Sequence, residues 1–372
     1  MRDPQRIAAR MDHITASGIR KVFDLGAHLK DPIDLSIGMP HFDVPQPIKD
    51  EAIAAIQRGQ NRYTPTQGID PLRQAVSQAC RREFGWTDER SIMITSGVAG
   101  ALTLAIFATV DPGDEVIVTD PHFVMYSYIT RMAGGVPVAV DTYDDFRPDV
   151  QRIADAVTDK TRLIVINSPC NPTGCVYSEA ELRGIAEIAE RHGLLVLSDE
   201  IYDLFCYDEP YPSMASICEN TVLMRGFSKS FGMPGWRMGW CAGPEAIIDR
   251  MKTLQQWTFV CAPSMAQAAG VIAMTTDMSE TIAAYKVKRD MVADALCDRL
   301  GWVKQGGAFY AFVPAPGGDA TEFVKRAIAN NVLIIPGSVF SAKDTHFRIS
   351  FACDDAKLQQ GLEIMVKLAD EF

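Results

Sequence analysis

The sequence has no apolar run long enough to cross a bilayer, and its opening stretch MRDPQRIAARMD lacks the apolar centre of a signal peptide. Both absences point to a cytoplasmic protein. Positive charge is in short supply: 36 Lys and Arg stand against 47 Asp and Glu, for a formal net charge of −11. Nucleic acid and anionic membrane each require a basic footprint, so neither is an expected partner. The nine cysteines include no C-x-x-C pair, and the six histidines include no H-x-H or H-E-x-x-H spacing. Cys170 and Cys175 flank one loop, but no second pair completes a zinc site, so no bound metal is expected. No G-x-G-x-x-G follows a strand, and the run GVAGAL at 97–102 lacks the lysine of a nucleotide P-loop. A nicotinamide dehydrogenase is thereby excluded, and a nucleotide reading is disfavoured. There are no internal repeats.

What is present is an ordinary globular composition, 47% apolar and 22% charged, over 372 residues, enough for one large and one small domain. Short apolar β-branched runs alternate with segments of helical periodicity, which implies a mainly parallel sheet flanked by helices. The division expected is a large domain at 45–278 and a smaller α/β domain built from 1–44 together with 279–372. RKVFDLGAHL, at 20–29, reads as a helix, and DPIDLSIG as a strand ending at Gly38. Ser178 and Glu181 form a capping box for the helix that follows them.

Residues with chemistry collect at the carboxyl ends of the strands, where open α/β sheets gather ligands. Lys229 sits in GFSKSFGMPGWRMGW, at 226–240, with Ser228 beside it and Arg237 eight residues on. A lysine that attacks a carbonyl must lose its proton, and burial near a second cation achieves that. The helix opening on Val98 and Ala99 presents free amides and a positive dipole end, which suits a phosphate. Asn171 precedes Pro172 in a rigid N-P-T-G loop. Asp199 ends an apolar strand, so it needs either a cation or a helix to cap. Arg348, inside FRISFA, needs an anion; its planar fork fits a carboxylate, and an ordinary buried ion pair is the alternative. Phe123 and Tyr63 read equally as packing residues.

Taken in order, these motifs resemble the class I and II aminotransferases of pyridoxal phosphate fold-type I: I-G-x-P-x-F-x-x-P around Gly38, N-P-T-G at Asn171, Asp199 with Tyr202, and S-K-x-x-x-M-x-G-x-R-x-G from Ser228 to Gly239. The resemblance implies that Lys229 forms a Schiff base with pyridoxal 5′-phosphate and later moves the substrate proton. It implies that Val98, Ala99, Ser228 and Arg237 hold the phosphate, that Phe123 stacks on the ring, and that Asn171 and Tyr202 meet its phenolic oxygen. Asp199 would pair with the ring nitrogen. Gly38, Asn171 and Arg348 would bind the substrate carboxylate, and Ile19 would help close the site. Tyr63 would reach the partner's cofactor across a homodimer interface. The implied reaction is ping-pong transfer of an amino group between an amino acid and a 2-oxo acid; a lyase, such as a carbon–sulfur β-lyase, or a synthase on the same scaffold is the alternative. LQQWTFVCAPS, at 254–264, carries no arginine where relatives specific for dicarboxylic acids often have one, so a neutral or aromatic donor is expected.

Overall fold

The computed structural model describes residues 7–19, 22, 28–86, 91–208 and 210–372. Its strands, in chain order, are β1 (Ile33–Asp34), β2 (Ser91–Thr95), β3 (Glu115–Asp120), β4 (Val136–Asp141), β5 (Thr161–Asn167), β6 (Leu195–Asp199), β7 (Thr221–Gly226), β8 (Gly239–Gly243), β9 (Tyr310–Pro314), β10 (Val332–Leu333), β11 (Ile335–Pro336) and β12 (His346–Ser350). β5, β6 and β7 are buried almost throughout, as strands in a sheet covered on both faces must be, and they read as near-continuous apolar runs for that reason. They occupy the middle of a seven-stranded sheet of order β2-β8-β7-β6-β5-β3-β4. Only β8 in this sheet runs against its neighbours, so the expected mainly parallel sheet is what forms. β9, β11 and β12 build a separate antiparallel sheet, while β1 pairs in parallel with β10 and ties residues near the amino terminus to the later part of the chain.

Helix starts follow local chemistry. Ser178 accepts from the Glu181 amide while the Glu181 carboxylate accepts from the Ser178 amide, the reciprocal box expected for helix Glu179–His192. The same carboxylate takes a forked pair from Arg147, at 2.6 and 2.5 Å. The strand expected to reach Gly38 stops at Asp34. Leu35 still donates to the Leu333 carbonyl at 2.9 Å, but its own carbonyl accepts from Ser350 at 2.7 Å and the Ser36 amide donates to the Asp34 carboxylate at 2.9 Å, so the pairing with β10 ends there. Of the helix expected over 20–29, most falls outside the described residues.

The strand that delivers the lysine turn is anchored by buried charge. Arg225 on β7 donates to both oxygens of Glu83 at 2.7 Å, to Glu200 at 2.9 and 3.1 Å, and to the Tyr211 hydroxyl at 2.6 Å. Asp203 lies 3.5 Å from the same guanidinium and accepts from Ser230, inside the turn. Replacing Arg225 by methionine keeps most of the volume but strands two buried carboxylates. Denaturant unfolding should show a loss of about 3–5 kcal/mol, the range for breaking one side of a buried pair.

Candidate active site

β5, β6 and β7 end at one edge of the sheet with Asn167 opposite Asp199 and Asp199 opposite Met224, so the residues that follow each strand face one another. Between that edge, the arm around Gly38 and β12 lies a cavity of about 270 Å³. Ile19, Gly38, Val98, Ala99, Phe123, Asn171, Asp199, Tyr202, Ser228, Lys229, Arg237 and Arg348 all line it. Sequence reasoning therefore assembled one site from twelve residues spread over the chain. Tyr63 is the exception: it is 85% exposed and lies outside the cavity lining of this single chain.

One end of the cavity suits an anion. Helix Gly97–Thr109 opens with Gly97 at φ +71°, and its first amides, including those of Val98 and Ala99, have no partner within the helix. Arg237 closes over this terminus: a Cβ built on Gly97 would come within 3.1 Å of its guanidinium. Arg237 itself sits in the left-handed region, at φ 53°, with Nη1 donating to the Pro234 carbonyl at 3.0 Å. Among the described residues it has no acidic partner.

The centre holds an acid and an amine. Asp199 accepts from the Tyr126 hydroxyl at 2.7 Å and from the Ile201 amide at 3.2 Å. Burial nevertheless pushes its carboxyl up to about 6, against those two hydrogen bonds. No cation touches it among the described residues, so a ligand bearing one would relieve the desolvation. Lys229 rides on the helical turn Phe227–Ser230 and donates to the Gly38 carbonyl at 2.5 Å. Burial, with Arg348 and Arg237 adding to it, brings its amine down to about 8.

At the far end Arg348 is 1% exposed. Nη1 donates to Asn171 Oδ1 at 3.0 Å and Nη2 to the Ser36 carbonyl at 2.6 Å, while Nε is buried with no partner. Both acceptors are neutral, and among the described residues Arg348 has no acidic partner, so the charge itself awaits an anion. The Oδ1 of Asn171 being taken, the amide's donor end is the one left for a ligand.

Three polar side chains lining the site had not been singled out. Tyr310, at the start of β9, hydrogen-bonds Tyr202 hydroxyl to hydroxyl at 2.8 Å and lies beneath the Arg348 guanidinium, 4.5 Å from its ring centre. Tyr126 holds Asp199, and Asn167 donates to the Asp199 carbonyl at 2.8 Å. Tyr126 stands three residues after Phe123, at the opening of helix Met125–Met132, and the two rings meet edge to face at 5.8 Å. The run GGAFYAF gives no comparable sign of Tyr310. Gly38 is explained by the same neighbour, since a Cβ there would lie 1.9 Å from the Tyr310 hydroxyl.

The amine makes a pH prediction. Below its pKa the protonated Lys229 cannot attack a carbonyl; above it the free base can. Labelling of the ligand-free protein by an aldehyde, trapped with borohydride and located by peptide mass, should rise at residue 229 with a midpoint near pH 8. Surface lysines should label with a midpoint near their ordinary value, about 10.4.

The cavity thus presents an anion cradle, an unpaired buried carboxylate, a free amine and a buried unsatisfied guanidinium. The residues fit a ligand with a phosphate, a cationic ring nitrogen and a reactive carbonyl. Comparison with known proteins agrees. The family profile "Aminotransferase class I and II" matches residues 30–365. A probable aspartate aminotransferase of Methanocaldococcus jannaschii is 34% identical, with 97% of this chain and 99% of that protein aligned. Aromatic-amino-acid aminotransferase 2 of Thermococcus litoralis is 35% identical over 98% of both. The solved aspartate aminotransferase from Thermus thermophilus with maleate superposes with a TM-score of 0.93 at 33% identity, covering 99% of this chain and 100% of that one. These relatives transfer amino groups, so the lyase alternative is not favoured. With the motifs, the fold and the relatives in agreement along nearly its whole length, the chain belongs to the class I and II aminotransferases of fold-type I, enzymes that move an amino group between amino acids and 2-oxo acids.

Proposed function

We propose that the cofactor is pyridoxal 5′-phosphate and that the amino donor is a neutral or aromatic amino acid. The observation that carries the proposal is the placement of the Lys229 amine and the Asp199 carboxylate on one small cavity between two separate cationic ends. When bound, pyridoxal phosphate supplies a carbonyl that condenses with amines and a ring that draws electrons from the substrate carbon. The protein's part is binding, orientation and proton transfer. The first amides of helix Gly97–Thr109, with Ser228 and Arg237, hold the phosphate. Phe123 packs on the ring face, Asp199 keeps a proton on the ring nitrogen, and Asn171 and Tyr202 donate to the phenolic oxygen. Arg348 and the backbone at Gly38 fix the substrate carboxylate. Lys229, whose amine is brought down to about 8, would move the proton between the substrate Cα and the carbon of the cofactor's former carbonyl, in one direction in the first half-reaction and back in the second.

Donor choice follows from counting cations. Lys229, Arg237 and Arg348 are the only Lys or Arg among the described lining residues, and each already has a task. Ile19, Val98, Leu102 and Met125 are apolar, so a side-chain carboxylate would enter without a partner. Rapid mixing of the holoenzyme with single donors should show the absorbance of bound pyridoxal phosphate bleaching faster with phenylalanine or leucine than with aspartate, by about tenfold or more. A strong preference for aspartate would overturn the donor assignment while leaving the reaction in place.

The same reading makes the protein a cytoplasmic homodimer. Tyr63, Trp257, Phe259 and Val260 are exposed, at 85, 84, 41 and 41%. The segments carrying them adjoin through the Ser264 hydroxyl on the Gln60 carbonyl at 2.6 Å. Such an apolar face beside the cavity suits a second copy whose Tyr63 would complete the phosphate site. Two supports exist for a large domain at 45–278 and a small one from 1–44 with 279–372: the seven-stranded sheet falls wholly inside the first, and β1 pairs with β10 inside the second.

A further inference from the structure

Tyr202 and Tyr310 are both buried, and their rings meet edge to face with centroids 5.6 Å apart and planes at 85°. Their hydroxyls are 2.8 Å apart, and one of the two must donate. Were Tyr202 the donor, its proton would point at Tyr310 and nothing would be offered to the cavity. The Tyr310 hydroxyl occupies space that only a glycine at 38 leaves open, so its position is set by the backbone on that side. On the other, the Arg348 guanidinium lies over its ring. Burial raises the Tyr310 phenol above its ordinary value, and that cation opposes the rise, leaving the hydroxyl a better donor than burial alone would. Asp199 on β6, Arg348 on β12, and Lys229 and Arg237 from the segment after β7 are the charged groups facing this pair across the cavity.

We infer that Tyr310 is a positioning residue for the reaction: its hydroxyl donates to Tyr202, which turns the Tyr202 proton into the cavity and strengthens the hydrogen bond that Tyr202 makes there. The inference rests on the role of Tyr202 proposed above. Chained hydrogen bonds polarise one another by roughly 10–30% per bond. A hydrogen bond to the phenolic oxygen stabilises the deprotonated form of the bound chromophore, so losing it raises the pH at which the chromophore titrates.

The test is spectrophotometric titration of the holoenzyme, independent of turnover. Tyr202→Phe should raise the chromophore pKa by about 1–2 units, the size of one hydrogen bond to a charged group. Tyr310→Phe should raise it by a few tenths of a unit, and the double variant should match Tyr202→Phe alone. Because phenylalanine keeps a ring beneath Arg348, the dissociation constant of 3-phenylpropionate, an unreactive carboxylate, should stay within threefold in Tyr310→Phe. A shift in Tyr202→Phe with none in Tyr310→Phe overturns the inference. So does a Tyr310→Phe shift that persists without the Tyr202 hydroxyl, or a larger change in carboxylate affinity, since either means that Tyr310 acts by another route. No shift in Tyr202→Phe overturns the role of Tyr202 and the inference with it.

Discussion

Lys229→Ala lowers kcat by about 10,000-fold in the expected outcome, while the protein still folds. The side chain is the one amine among the described lining residues, so on the proposed reading its loss removes both the attachment point and the base that moves the substrate proton. Neither Arg237 nor Arg348 substitutes, because a guanidinium does not release its proton near neutral pH. Folding is spared because the lysine makes no ion pair among the described residues: its hydrogen bond goes to the Gly38 carbonyl, and the turn is held from outside by Ser230 on Asp203. Single-turnover absorbance with phenylalanine measures the chemical step, and a thermal scan of the ligand-free variant checks the fold. Residual activity within tenfold of wild type would mean that another group moves the proton.

Asp199→Asn separates activity from stability. On the proposed reading, removing the carboxylate would leave the protonated ring nitrogen buried without its counter-charge, and the range for breaking a buried pair corresponds to a loss in kcat/KM of about 150- to 5,000-fold. In the ligand-free protein the sign reverses. The carboxyl is raised to about 6 by burial, above its value in the unfolded chain, so between roughly pH 4 and pH 6 the folded state holds a proton that the unfolded state has lost. Stability of the ligand-free wild type therefore falls as pH rises through that window. At pH 7 the ionised carboxylate destabilises the fold by on the order of 3 kcal/mol, two pKa units at 1.36 kcal/mol each. Asparagine keeps an acceptor for Tyr126 and carries no charge. Urea titrations at pH 4 and pH 7 should show the variant gaining on wild type only at the higher pH, and equal stabilities at pH 7 would mean that Asp199 has a cation in the ligand-free state.

Much of this was legible because it is written locally. Lys229 announced itself through the glycines and the arginine around it, Asn171 through its prolines, and Asp199 and Arg348 by being charges inside apolar strands. A buried charge costs free energy that a sequence can display without any structure. Tyr310 carried no such mark: a tyrosine in an apolar strand is ordinary, and its importance comes from a contact with Tyr202 across 108 positions. The overlong strand at Gly38 failed for the opposite reason. Its apolar pattern continues, but after Leu35 the chain changes partners, that residue's carbonyl accepting from Ser350 and the Ser36 amide turning to the Asp34 carboxylate. Tyr63 lies in a loop whose partner, on the proposed reading, is another copy of the chain, so neither the sequence nor one subunit can bring it to the cavity.

The grip of Arg348 on the Ser36 carbonyl spans 312 positions. Closing so long a loop is entropically slow, so during synthesis on the ribosome the lysine turn and the phosphate cradle can form well before the carboxylate anchor exists. On the proposed reading, a nascent chain at that stage would hold the lysine and the phosphate cradle, yet it would have nothing with which to orient an amino acid.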